Sequence, residues 1–194
     1  PEGSKNSRGQ HIKALLSISP NEEIAAVVEI SQFSKSTYIL LATSKGVIKK
    51  VTTSDFENAR TRGILAIKLD PGDKVVKAVL CDGSKELVLI TRKGRALRFH
   101  EENIRSMGRA SRGVQGIRLS AGDELAGAVL VEPERQMLLV TEYGYGKRVE
   151  FENFQPHGRG TGGQIAYKVS PKTGEIIGGI SVTDDSEVVI ITSV

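Results

Sequence analysis

Residues 64–99 read ILAIKLDPGDKVVKAVLCDGSKELVLITRKGRALRF, and this stretch decides the fold class. An apolar alternation at 64–69 ends in the turn Pro71-Gly72-Asp73, and a β-branched run, Val75–Cys81, ends in Asp82-Gly83-Ser84. A third run, 87–91, is followed by Arg92-Lys93-Gly94 and a fourth, 95–99. Short alternating runs punctuated by Gly, Pro and Asp read as strands joined by tight turns. Counterparts of the fourth run stand at 47–51 and 146–149.

The pattern repeats along the chain. Arg-Gly pairs stand at Arg8, Arg62, Arg112 and Arg159, separated by 54, 50 and 47 residues. Ile24, Val75, Leu125 and Ile176 follow at 51, 50 and 51, and Thr43, Thr91, Thr141 and Thr192 at 48, 50 and 51. A period of about fifty residues with four strands per unit fits radial repetition, because blades set side by side bury both faces of each small sheet. No run of about twelve residues keeps a helical period, and residues 101–105 allow one turn at most. The expected fold is therefore all-β: one propeller-like array of four-stranded blades over 1–194. Its units are 8–61, 62–111, 112–158 and an incomplete 159–194, so the chain reads as part of a larger array.

Composition limits the function. The 194 residues are 39% hydrophobic and 26% charged, with 21 Gly, 6 Pro and one Cys, which is ordinary globular usage rich in turns. No apolar run approaches the roughly 20 residues of a membrane-spanning helix, and the first ten residues carry no signal-like segment, so a cytoplasmic location without membrane contact is expected. Windows 45–69, 92–119 and 147–169 hold 18 of the 27 basic residues and six of the 23 acids, a net +12 against −8 elsewhere. Repeated once per blade, such segments make a curved basic stripe suited to a bent polyanion. With no Trp and 5% aromatics, base stacking is a poor expectation and duplex backbone binding a better one. The candidate phosphate contacts are Lys45, Lys49, Lys50, Arg60, Arg62 and Lys68, then Arg92, Lys93, Arg95, Arg98, Arg105, Arg109, Arg112 and Arg118, then Lys147, Arg148, Arg159 and Lys168.

Other motifs carry less. Residues 158–163 contain a G-x-G-x-x-G spacing, but the strand-like 164–169 follows where a dinucleotide site needs a helix. Gly144-Tyr145-Gly146-Lys147-Arg148 lacks the P-loop spacing and reads as a hairpin turn. His11, His100 and His157 fall in different repeats without a Cys partner, Cys81 reads as core, and the acid pairs Glu22-Glu23 and Asp184-Asp185 read as turns. No catalytic constellation and no metal site is expected.

The run Ser106-Met107-Gly108-Arg109-Ala110-Ser111-Arg112-Gly113-Val114-Gln115-Gly116-Ile117-Arg118-Leu119, with residues 144–148, resembles the C-terminal domains of bacterial DNA gyrase A subunits. The resemblance implies a β-pinwheel, whose blades exchange strands, wrapping duplex DNA on a basic rim in the service of negative supercoiling. It implies a parent chain in an A2B2 holoenzyme with the gyrase B subunit and the gyrase A N-terminal part. ATP and Mg2+ would be used there and no cofactor here, and the cleaving tyrosine would not be among Tyr38, Tyr143, Tyr145 and Tyr167. The family's Gln-Arg-Arg-Gly-Gly-Arg-Gly box is absent in full, residues 159–164 being a degenerate relative. The related topoisomerase IV A-type domain and a propeller used as a protein scaffold are the alternatives.

Overall fold

A computed structural model describes residues 6, 8–14, 16, 18–19, 21–60 and 63–190. The landmarks Arg62 and Thr192 and the end of the last unit lie outside them. Three hairpins form the frame: β1 (Tyr38–Thr43) with β2 (Val47–Thr52), β4 (Glu86–Thr91) with β5 (Arg95–His100), and β8 (Gln136–Thr141) with β9 (Gly146–Glu150). Each turns through a glycine of positive φ, 77° at Gly46, 88° at Gly94 and 78° at Gly144, a conformation open to a residue without Cβ. Long strands β3 (Val75–Cys81), β7 (Leu125–Leu130) and β11 (Ile176–Val182) flank the hairpins, and β6 (Val114–Gln115) and β10 (Gln164–Ile165) are short additions.

The sheets run β3-β1-β2-β6, β10-β5-β4-β7 and β11-β8-β9, every strand pair antiparallel. Register is shared: Leu40 faces Lys50, Val88 faces Arg98 and Leu138 faces Arg148. Units of repetition and sheets do not coincide. The first sheet takes its hairpin from one unit, β3 from the next, and β6 from residues beyond the whole second hairpin. The first two sheets are thus closed at their outer edges by chain arriving from further along.

The middle sheet is covered on both faces, which explains why β4 reads as a continuous apolar run. Leu87, Leu89, Leu97 and Phe99 face the first sheet with Leu40, Ile48, Ile104 and Ile117. Val88, Ile90 and Ala96 face the third with Met137, Leu139, Phe151 and Phe154. Each such Leu or Phe contributes about 1.5–3 kcal/mol by leaving water. Cys81 belongs to the first cluster, and burial raises its thiol far above the usual range, so it is core and unreactive.

Three expectations need correction. Residues 64–69 form no strand; Ile67 is buried while Leu65 is 58% exposed, and Lys68 N–H donates to Ser111 O at 3.0 Å. Their alternation reflects one side resting on neighbouring chain, not a ladder. Likewise only Gln164–Ile165 of 164–169 is strand. The Arg-Gly landmarks also misalign in the last unit. Val114 pairs with Ile48 and Gln164 with Ala96, so Gly163 answers to Gly113 and Arg159 to Arg109, each 50 residues apart. At 101–105 the structure has a 3-10 turn, Glu101–Asn103, and nothing longer.

Candidate nucleic-acid interface

The outer strands carry paired cations, all of them expected on the surface from the charge pattern. β2 instead buries both of its own. Lys49 is 0% exposed, and its Nζ donates to Ala66 O at 2.8 Å, Ser111 O at 3.0 Å and Arg109 O. Burial, with the neighbouring Arg109 charge, lowers its pKa against the opposing pull of Asp55. Lys50 is 5% exposed; its Nζ donates to Glu101 O at 2.9 Å, lies 3.9 Å from the Glu101 carboxylate and sits 4.9 Å from the Tyr38 ring centre. Both lysines, expected on the surface, are instead buried. The reason is the strand exchange, since residues 104–115 lie along the outer edge of β2 and cover it.

β5 keeps one of the two cations, half-buried: Arg98 stands at the register position of Lys50, buried Leu97 at that of Lys49, and Arg95 two residues before it. Arg95 donates to Gly162 O at 2.6 Å and Gly163 O at 2.5 Å. Arg98 holds Glu86 Oε2 at 2.5 Å and Phe151 O at 2.8 Å. Arg92 is neutralised by Glu142 at 2.7 Å and Glu175 at 2.6 Å. These three cross between blades and act as fasteners. At the turn end of the blades Lys45 caps Pro71 O at 2.6 Å and Lys93 caps Ala121 O at 2.8 Å, each remaining exposed.

The crossing segments carry the outward charge. On the first, Arg105, Arg112 and Arg118 are exposed and Arg109 half-buried; on the second, Arg159 and Lys168 are exposed. Arg60 and Lys68 are exposed on the corresponding stretch before β3. Arg112 pairs with Asp70 at the surface, a contact worth roughly 0.2–1 kcal/mol and easily exchanged for a phosphate. Arg159 donates from Nε to Asn103 O at 3.0 Å and from Nη1 to Gln115 O at 3.1 Å, which ties the second segment to the first. Lys147 donates to Ala166 O at 3.1 Å and Arg148 pairs with Asp184 at 2.5 Å, both exposed. Lys172, outside the basic windows, stands 5.7 Å over Tyr145, a contact across 27 residues that local sequence patterns have no means to reveal.

The opposite charge gathers elsewhere. The turns after β3, β7 and β11 and the 3-10 turns after β5 and β9 carry Asp82, Glu102, Glu132, Glu134, Glu152 and Asp184. The turn end of the blades carries acids as well, Asp70, Asp73, Asp123, Glu124, Glu142 and Glu175, so acidic residues flank the outer basic edge at both ends. Among the described residues no three His, Cys, Asp or Glu side chains converge as a metal site, and no helix is long and apolar enough to cross a membrane.

Comparison with known proteins agrees with this architecture. A family model described as "DNA gyrase C-terminal domain, beta-propeller" matches three times, at residues 37–82, 85–132 and 135–183, one match per hairpin with its long strand. The DNA gyrase A subunit of Treponema pallidum is 61% identical over 192 residues, covering 99% of this chain and 24% of that protein. The DNA gyrase A subunit of Clostridium acetobutylicum is 42% identical, covering all of this chain and 23% of its own length. The chain thus spans about a quarter of these relatives. A solved DNA gyrase A C-terminal domain superimposes with a TM-score of 0.83 at 28% identity, covering 92% of this chain and 60% of that one. A solved C-terminal domain of DNA topoisomerase IV gives 0.83 at 28%, covering 91% and 55%. The threefold match, the full-length 61% identity and the shared fold show that this chain belongs to the DNA gyrase C-terminal domain family of β-propellers.

Proposed function

We propose that this chain binds and bends duplex DNA along the outer edge of its blades, without reading sequence, and so presents DNA to a gyrase holoenzyme for negative supercoiling. The observation that supports this most directly is the row Arg105, Arg109, Arg112 and Arg118 on one crossing segment, continued after 50 residues by Arg159 and Lys168 on the next. Guanidinium and ammonium groups spaced along the outer edge neutralise successive phosphates, and no helix offers base contacts among the described residues, so affinity comes from backbone charge and DNA bendability. Arg60, Lys68, Lys45 and Lys93 extend the contact surface, and Arg62 completes the list from outside the described residues.

In this reading the double strand is the ligand, and the gyrase B subunit and the N-terminal part of the gyrase A chain are partners in an A2B2 assembly. Strand cleavage, ATP and Mg2+ belong to that larger assembly, in the bacterial cytoplasm at the nucleoid. Gyrase is preferred to topoisomerase IV because gyrase A relatives align over the whole chain at 61% and 42% identity, whereas the two solved folds match equally well.

A salt series on duplexes of about 20 to 140 base pairs tests the proposal, since each neutralised phosphate adds about 0.9 to the log–log slope. Affinity and slope that both rise with length to a plateau are expected. Binding that is absent or indifferent to length would reject edge binding and favour a protein-docking propeller.

A further inference from the structure

The first two sheets hold the crossing segment of the next repeat through the same backbone contacts but with different side chains. Lys50 and Arg98 occupy one register position, opposite Leu40 and Val88. Lys50 donates to Glu101 O at 2.9 Å and Arg98 to Phe151 O at 2.8 Å, acceptors 50 residues apart at the starts of two 3-10 turns. Beyond each turn Met107 N–H donates to Lys50 O and His157 N–H to Arg98 O, both at 2.9 Å.

Around this common frame the acid and the aromatic ring change places. On the first sheet the carboxylate arrives with the crossing segment. Glu101 is fully buried; its Oε1 accepts from Lys85 N–H at 2.8 Å, and its Oε2 accepts no hydrogen bond and faces Lys50 Nζ at 3.9 Å. The ring beside Lys50 belongs to the sheet itself, Tyr38, with its centre 4.9 Å away. On the second sheet the carboxylate is the sheet's own: Glu86, at the register position of Tyr38, accepts from Arg98 Nε at 3.1 Å. There the crossing segment brings the ring, buried Phe151. The inner strands follow the same exchange. Cys81, opposite Tyr38, lies beside the Glu101 carboxylate, whereas Val131, whose N–H donates to Glu86 O, packs in the apolar cluster of Phe151. Each junction thus holds one cation, one carboxylate and one ring, with the last two drawn from opposite sources.

We propose that this exchange is a blade-order code: Tyr38, Cys81 and Glu101 at one junction, and Glu86, Val131 and Phe151 at the other, make each sheet accept only its own neighbour. Repeats of like sequence fold side by side, and docking of a wrong repeat, from the same chain or from a second copy, is the error such an array has to exclude. Were the turn at Phe151 to dock on the first sheet, Lys50 would be buried beside two rings with no counter-ion. Were the turn at Glu101 to dock on the second, Glu101 and Glu86 would compete for Arg98. Either error leaves a buried charge without its partner, which is far costlier than the intact pair is stabilising. The inference concerns how the blades sort themselves and stands whether or not the outer edge binds DNA.

The test follows hydrogen exchange at the Met107 and His157 amides of the full-length protein, one reporter for each junction. Glu101→Phe gives the first junction the ring of the second without its carboxylate, and should speed exchange at Met107 by more than about 100-fold while leaving His157 unchanged. Tyr38→Glu alone sets two carboxylates on one lysine and should also weaken protection at Met107. Combined, the two changes supply the carboxylate from β1, as Glu86 supplies it from β4, and should recover most of the protection that Glu101→Phe loses, a non-additivity that independent structural damage does not produce. Phe151→Glu with Glu86→Tyr is the mirror case, read at His157. Rescue by the second change of a Glu101→Phe protein too unstable to fold would support the code equally. A Glu101→Phe/Tyr38→Glu protein no better protected than Glu101→Phe, or one that does not fold, would overturn the proposal, as would Glu101→Phe with Met107 exchange unchanged.

Discussion

Strand β2 and the segment that crosses it carry charge of one sign and put it to opposite uses. Lys49 points into a cluster of three carbonyls, Lys50 to the carbonyl and carboxylate of Glu101, and both are sealed from water, whereas Arg105, Arg112 and Arg118, on the layer outside them, are exposed. A cation's role here follows from which layer of chain lies over it, not from its place in the repeat. Burying an ammonium is costly unless several acceptors replace its water, and Lys49 has three. Leaving an arginine exposed costs nothing and keeps it available to a phosphate.

The sharpest way to break the comparison is to remove the inner member. Lys49→Ala opens a cavity and strands three carbonyls, and should cost about 3 kcal/mol or more in chemical denaturation, whatever the salt concentration. A loss under about 1 kcal/mol would mean that the buried lysine is not a structural element. Gly163→Ala comes next. Its backbone sits at φ 63° with Ala96 O directly against the new methyl, so the second crossing segment should lift, costing about 2 kcal/mol, visible as faster exchange at Ala96 and Leu97.

Asp73 tests the turn end of the same blade. Burial alone would raise its carboxyl, but hydrogen bonds from Thr43, Lys45 N–H, Ser44 and Lys74 N–H prevail and hold it below the ordinary 3.8. A depressed carboxylate gives stability that is present above 3.8 and lost as pH falls through its lower folded value. Asp73→Asn should therefore cost about 1 kcal/mol at neutral pH, and the gap from the parent should close below pH 3.8; a gap constant with pH would contradict this. Smallest in stability is Arg112→Ala, which trades away one surface pair and should change unfolding by under about 0.5 kcal/mol while lowering the DNA salt slope by about 0.9.

Much of the frame is legible in the sequence because its signals are local. Val75–Cys81 has the bounds its β-branched run predicts, and the three hairpins announce themselves through glycines that need positive φ. Strand exchange is not legible from periodicity, since β6 and β10 are two residues long and pair with strands more than 60 residues earlier. That single gap accounts for both errors at the interface. It hides the cover over Lys49 and Lys50, and it lets Arg159 align with Arg112 when its structural counterpart is Arg109. Of the 18 cations the charge pattern singles out, the structure makes Lys49, Lys50, Arg92, Arg95 and Arg98 fasteners and leaves those of the crossing segments largely exposed.

The most direct test of this division of labour is the salt dependence of duplex binding by Arg105→Ala/Arg112→Ala/Arg118→Ala, set beside that of the unmodified chain on the same DNA. The account predicts an unchanged β-sheet circular dichroism spectrum and a log–log slope lower by about 2.7, three contacts' worth. An unchanged slope in a folded triple variant would contradict it and remove the crossing segment from the path of the DNA.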